Sequence, residues 1–234
     1  MKAPSIPIDH GPDTLNHDWS LTPREAVARQ RELAASVRLE PLEHEPATVA
    51  GVDVSIRRKE NLAAAAVVVV RLSDLAVIEY VRHECEVPFP YVPGLLSFRE
   101  IPALLPAIEQ IESIPDVWMV DGQGIAHPRR FGLAAHLGVV LGRPCFGVAK
   151  TRLTGTYDAP DDKRGARADL LDEKTGECIG AVVRTRAGVK PIFVSAGHQL
   201  TLEDAIRLTM ASAPRYRLPE PARLAHRLSK YARI

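Results

Sequence analysis

The chain of 234 residues is short of cysteine, of long apolar runs and of net charge, and each shortage removes a class of protein. Cys85, Cys145 and Cys178 are odd in number and form no Cys-x-x-Cys pair. That excludes a disulfide framework and a zinc finger, and fits a reducing, cytoplasmic setting. The longest apolar run, Leu62 to Val70, is too short to span a bilayer, and the N-terminal residues contain no apolar signal region. Neither a membrane protein nor a secreted one is expected. Thirty basic against 29 acidic residues leave a net charge of +1, which argues against a polybasic, histone-like binder without saying how charge is distributed. There is no internal repeat and no linker long enough to separate domains. What is present, 46% hydrophobic and 25% charged residues, is the composition of an ordinary globular domain, here a monomer spanning 21–234 behind a loosely ordered extension over 1–20.

Local patterns divide the domain. Thr22, Pro23 and Glu25 occupy N-cap, N1 and N3 of a helix running to about Arg38. Strands follow over Thr48–Ile56, Ala63–Leu72 and Ala76–Val87, an antiparallel meander. Prolines at 88, 90 and 93 impose a stiff loop before a helix with Ser97 as its expected N-cap and a bend or break at Pro106. Strand Val117–Val120, a helix from about Arg130 to Leu141 and strand Cys145–Ala149 give an α-β-α-β continuation. Short strands are expected at Cys178–Arg184 and Pro191–Ser195, then a helix capped by Thr201 and Asp204, and a last one over Ala222–Lys230.

Two aspartates stand out. Asp53 lies mid-strand between Val52 and Val54, where a carboxylate must be compensated, and Asp121 ends a buried strand before Gly122-Gln123-Gly124. Ligand sites in open α/β sheets collect at such carboxyl ends. Two carboxylates from two strands would hold a hard divalent cation, Mg²⁺ first and Mn²⁺ as a substitute. Taken singly, Asp53 also reads as an edge-strand charge and Asp121 as the start of an Asx turn. Glu100, on a helix start, and His226, between Arg223 and Arg227, are further potential ligands.

The motifs Gly51-Val52-Asp53-Val54-Ser55, Pro90-Tyr91-Val92-Pro93-Gly94 with Leu95 to Glu100, Asp121-Gly122-Gln123-Gly124 through Arg129, Gly147-Val148-Ala149-Lys150, Ser195-Ala196-Gly197-His198 and Arg217 to His226 occur in this order. The series resembles the endonuclease V (deoxyinosine 3′ endonuclease) family. The resemblance implies an α/β, RNase H-like fold with a central five-stranded mixed sheet, three antiparallel strands continued by two parallel ones, flanked by helices. It implies that Asp53 and Asp121 bind Mg²⁺, that Glu100 completes the acidic cluster, and that His226 takes the fourth position, either as a ligand or orienting a water or phosphate. Lys150 would neutralise charge developing on the phosphate, although a lysine after a strand is more often simply exposed.

On the same resemblance, Tyr91, Val92 and Pro93 form a wedge that fills the gap left by a flipped base. The alternative is a proline-rich crossover with a buried tyrosine. Gly94, Gly122, Gly124 and Gly132 permit close backbone approach to a base, or make tight turns, and Leu96, Gly122 and Leu153 are placed near the base by resemblance. His127 either contacts a phosphate or caps the turn. Residues 122–152 carry Arg129, Arg130, Arg143, Lys150 and Arg152 with no acid, and 207–234 carry seven basic residues against Glu220, which supports a polyanionic partner. The implied activity is Mg²⁺-dependent DNA repair, hydrolysis of the second phosphodiester 3′ to deoxyinosine with 3′-hydroxyl and 5′-phosphate ends. The alternatives are an endoribonuclease acting on inosine in RNA and a catalytically silent inosine-binding module.

Overall fold

The structure is a computed structural model and describes residues 17–87 and 89–234. Most of the expected extension, residues 1–16, and Pro88 of the stiff loop lie outside them. Strands β1 (Thr48–Arg57), β2 (Leu62–Arg71) and β3 (Val77–Glu86) form the expected antiparallel meander. The small and β-branched β2 is buried almost throughout, because both of its faces are covered. Ala63, Ala65, Val67 and Val69 meet Ile101, Leu104 and Ile108 of α2 (Leu96–Ile108), while Ala66, Val68 and Val70 meet Leu224, Ala225 and Leu228 of α5 (Glu220–Tyr231). The period of two along the strand thus divides the core into two layers.

Strand β4 (Val117–Val120) lies parallel to β1, and β5 (Cys145–Ala149) parallel to β4. The intervening α3 (Leu133–Leu141) is apolar on every side except His136 and is buried along its whole length. The sheet does not end there. It has eight strands rather than five, in the order β3-β2-β1-β4-β5-β8-β7-β6, with β8 (Ile192–His198), β7 (Cys178–Val183) and β6 (Arg167–Leu171) added antiparallel beyond β5. The wholly buried β5 would make a poor edge strand, and β8 supplies the ladder partner its outer side requires. Helix α4 (Leu202–Ala211) covers this half of the sheet, with Ala205, Ile206 and Leu208 against Phe146, Val148 and Val194.

Helix ends show where side-chain chemistry outweighs pattern. The Thr22/Glu25 and Thr201/Asp204 capping boxes form as expected. Helix α1 (Pro23–Leu33) stops earlier than Arg38 and tightens into a 3₁₀ turn over Ala34–Ser36. Leu95, not Ser97, is the N-cap of α2, because the Ser97 hydroxyl is taken by His136. Pro106 does not end α2. It stands four residues after Pro102, so the missing amide donors fall along one partly exposed stripe. The start of α3 is displaced to Leu133 because Arg130 has a positive φ of 55° and Gly132 is the N-cap. Among the described residues no helix is long and apolar enough to cross a membrane.

Candidate metal centre and adjoining cavity

Register creates the centre. Val52 of β1 is paired with Val120 of the parallel β4, so the next residues, Asp53 and Asp121, are neighbours on one sheet face, and the Asp121 amide donates to the Val52 carbonyl at 3.1 Å. Helix α5 crosses that face, and one helical turn delivers His226 and Ser229 to Asp53. The crossing is close because residue 51 is glycine: a Cβ there would fall inside the Pro221 carbonyl at the start of α5.

One ligand atom from each of Asp53, Asp121 and His226 lies within 4.8 Å of the other two. The His226 Nδ1 is 3.4 Å from Asp53 Oδ2, is buried, and makes no hydrogen bond among the described residues. Two carboxylates and an unused imidazole nitrogen suit a divalent cation, the oxygens favouring Mg²⁺ and the nitrogen admitting Mn²⁺. Burial pushes the Asp53 carboxyl upward, but the His226 ring, the Ser229 hydroxyl and the Lys150 ammonium bring it below the usual aspartate range. Asp121 is raised, by burial first and by the charge of Asp53, against the opposing pull of its ion pair with Lys150. Glu100 is 9% exposed, and burial followed by the charges of Asp53 and Asp121 holds it well above the ordinary glutamate range. It therefore sits within electrostatic reach of the pair without joining their ligand cluster.

A cavity of about 350 Å³ opens beside the cluster, and Asp121 and Lys150 belong to its wall. Tyr91, Val92, Pro93, Gly94, Leu96, Gly122, His127, Gly132 and Leu153 line it as well. Gly124 does not. It is set behind the wall, its amide donating to Ser195 Oγ at 2.8 Å and its Cα packed against the Ala196 carbonyl. Tyr91 is 61% exposed at the rim, with the Arg58 guanidinium 5.6 Å from its ring centre. The reading of Tyr91 as a buried crossover residue is therefore excluded.

Residues 31–227 match the model of the Endonuclease V family. The chain belongs to the endonuclease V family. An Endonuclease V from Dehalococcoides mccartyi (strain BAV1) is 46% identical over 210 residues, 90% of this chain and 93% of that one. The crystal structure of Streptomyces avermitilis Endonuclease V superposes with a TM-score of 0.86 at 44% identity, covering 92% of this chain and 94% of that one. That of Ciona intestinalis Endonuclease V, solved with a 24-mer DNA containing an inosine followed by a ribo-adenosine, gives 0.79 at 27% identity over 89% and 96%. The mixed sheet and flanking helices are the RNase H-like architecture of these endonucleases.

Several contributors to this site are not among the expected site residues. Ser229 bonds Asp53 and is recognisable only as the residue one turn beyond His226. Arg217 donates to the carbonyls of Lys150 at 2.7 Å and Pro191 at 2.9 Å, bracing the turn that carries Lys150. Arg130 is paired with Asp172 at 3.0 Å and Glu177 at 3.1 Å. Part of the local positive charge is thus spent inside the protein. Gln30 of α1 and Gln123, Thr151 and Arg152 also line the cavity.

His127 clamps the loop over residues 90–94. Its Nε2 donates to the Gly94 carbonyl at 3.1 Å and its Nδ1 accepts the Arg129 amide at 3.1 Å, which fixes a neutral ring. Burial first, then Arg129, depresses its pKa to about 4, and burial followed by Arg38 takes His198 to about 4. Unfolding restores both toward 6.5, so their contribution is complete above 6.5 and is lost as pH falls toward 4. Each is expected to cost about 3 kcal/mol over that window. Urea unfolding at pH 7.5 and pH 5 should show the difference; equal stability would place both rings in contact with water.

Proposed function

We propose that this endonuclease recognises deoxyinosine in DNA and, with Mg²⁺, hydrolyses the second phosphodiester bond on its 3′ side. The products would be 3′-hydroxyl and 5′-phosphate ends, the altered base staying in the strand. The observation that carries this reading is the shared wall: the same Asp121 and Lys150 face both the cation ligands and a cavity of a size for one small ligand. Base recognition and strand cleavage would then be read by one surface. The Ciona intestinalis relative, bound to inosine-containing DNA, supports the substrate.

Each residue has a part. Tyr91, presented on a proline-stiffened loop whose end is clamped by Gln30, His127 and Arg129, fills the stack when a purine leaves it. The flipped base enters the cavity between Leu96, Gly122 and Leu153. Asp53, Asp121 and His226 would hold the cation, whose charge would polarise the phosphoryl oxygen and lower the pKa of water. Lys150 brings its ammonium to the phosphate, offsetting the charge that develops there. Glu100, drawn toward its protonated form, is a reserve of acidity behind the pair.

A second reading is favoured by one detail. The nucleic acid in the Ciona intestinalis complex has a ribo-adenosine after the inosine, which points to a ribonucleotide preference on the 3′ side. Matched oligonucleotides, all-DNA with inosine, the same with one ribonucleotide after inosine, all-RNA with inosine, and all-DNA with adenine, separate the readings. Cleavage of the first and not the last is expected. Cleavage confined to the ribonucleotide substrates would transfer the activity to RNA, and equal cleavage of adenine would remove base recognition.

A further inference from the structure

The turn that joins β1 to β2 is tied to the loop that presents Tyr91. Arg57 at the end of β1 is paired with Leu62 at the start of β2, and Leu62 with Glu86 at the end of β3. The turn over 58–61 and the segment leading to Tyr91 therefore leave the sheet at the same end. The Val87 amide, the first after β3, donates to the Asn61 carbonyl at 3.0 Å, and the Glu60 amide closes the turn on the Arg57 carbonyl at 3.1 Å. Asn61 takes the left-handed conformation, with a φ of 52°, that asparagine tolerates better than most residues. Backbone bonds thus fix the turn beside the loop.

Two neighbouring arginines of this hairpin are used differently. Arg57 is spent inside the protein, 2.7 Å from Glu84 and 3.4 Å from Glu60. Arg58 is exposed and has no carboxylate partner among the described residues; its guanidinium lies over the Tyr91 ring, 5.6 Å from the centre. An arginine suits that place for two reasons. Its flat cation is attracted to the ring face, and the N–H groups at its edge stay free for the forked bonds that a phosphate accepts. A lysine carries the same charge without the flat face. Tyr91 belongs to the cavity wall, and Arg58 is outside it. Asp53, of the cation cluster, stands five residues before Arg58, about 16 Å along an extended chain, so the two side chains serve different phosphates.

We propose that Arg58 is a DNA-binding residue that works as a unit with Tyr91: its guanidinium backs one face of the ring as the ring enters the base stack, and takes hold of the phosphate flanking the gap. The other face of the ring is left for the neighbouring base. Toward Tyr91, Arg58 is a positioning residue; toward the nucleic acid it is a phosphate contact, and it has no part in breaking the bond. The assignment rests on the reading of Tyr91 as the residue that fills the stack, and it makes the β1–β2 turn a second jaw beside the loop.

The test is binding of an inosine-containing duplex without added metal, followed by fluorescence anisotropy over a range of salt concentrations, with 2-aminopurine beside the inosine to report unstacking. Arg58→Met is expected to bind about tenfold more weakly and to flatten the slope of log Kd against log salt by about one. Its 2-aminopurine signal should also fall. Arg58→Lys should restore the salt slope but only part of the signal. Arg57→Met, which removes an equal charge already spent on Glu84 and Glu60, should leave both close to wild type. In a Tyr91→Leu background the loss caused by Arg58→Met should shrink, as it must for residues acting as a unit. An unchanged salt slope or an undiminished signal in Arg58→Met, beside a Tyr91→Leu protein that has lost the signal, would overturn the part given to Arg58 and keep that of Tyr91. A full signal in Tyr91→Leu would overturn both.

Discussion

Asp121→Asn is expected to cleave inosine-containing DNA at least about a thousandfold more slowly than wild type, and Asp53→Asn equally so, with DNA binding retained in both. The two side chains share one ligand cluster with His226, so removing either charge dismantles it. Their effects on folding should differ in sign. Burial and the neighbouring Asp53 penalise the charged form of Asp121, and a neutral isostere relieves that penalty. Asp53 is held below the usual range despite its burial, because His226 and Ser229 favour the carboxylate. In differential scanning fluorimetry without added metal, Asp121→Asn should therefore melt no lower than wild type and Asp53→Asn should melt lower. Two variants with wild-type turnover would remove the carboxylates from the chemistry.

Gly51→Ala is expected to lower stability by about 1–3 kcal/mol and to reduce cleavage by more than His226→Ala does alone. The added methyl would collide with backbone, the Pro221 carbonyl and the Ala222 amide, which no rotamer change can relieve. Helix α5 must move away from β1, and His226 and Ser229 leave Asp53 together. Denaturant unfolding gives the first quantity and single-turnover cleavage the second. Full activity in a destabilised Gly51→Ala protein would show that the seating of α5 does not set the site.

Much of the site was legible because its residues stand at places where ordinary folding rules are broken. A carboxylate inside an apolar strand, and another at the end of one, need a reason, and the motifs around them supply it. The meander, the β4-α3-β5 unit and both capping boxes follow from periodicity and end chemistry alone. The three-strand extension beyond β5 was not legible, since alternation marks a strand without naming the edge it joins. Nor was the pairing of Val52 with Val120, on which the meeting of Asp53 and Asp121 depends. A serine before an apolar run reads as an N-cap, and Ser97 instead turns inward to a histidine brought near by α3 packing on α2. Gly124 illustrates the reverse case: a glycine in a site motif whose tight space is filled by the Ala196 carbonyl behind the wall.

The most direct trial is a titration of Mn²⁺ into the wild-type protein and into Asp53→Asn and Asp121→Asn, followed by calorimetry or by the loss of free-ion paramagnetic signal. One saturable site in the wild type, displaced by Mg²⁺ and strongly weakened in both variants, is the predicted result. Undiminished uptake by the two variants would mean that the neighbouring aspartates of β1 and β4 do not hold a common ion.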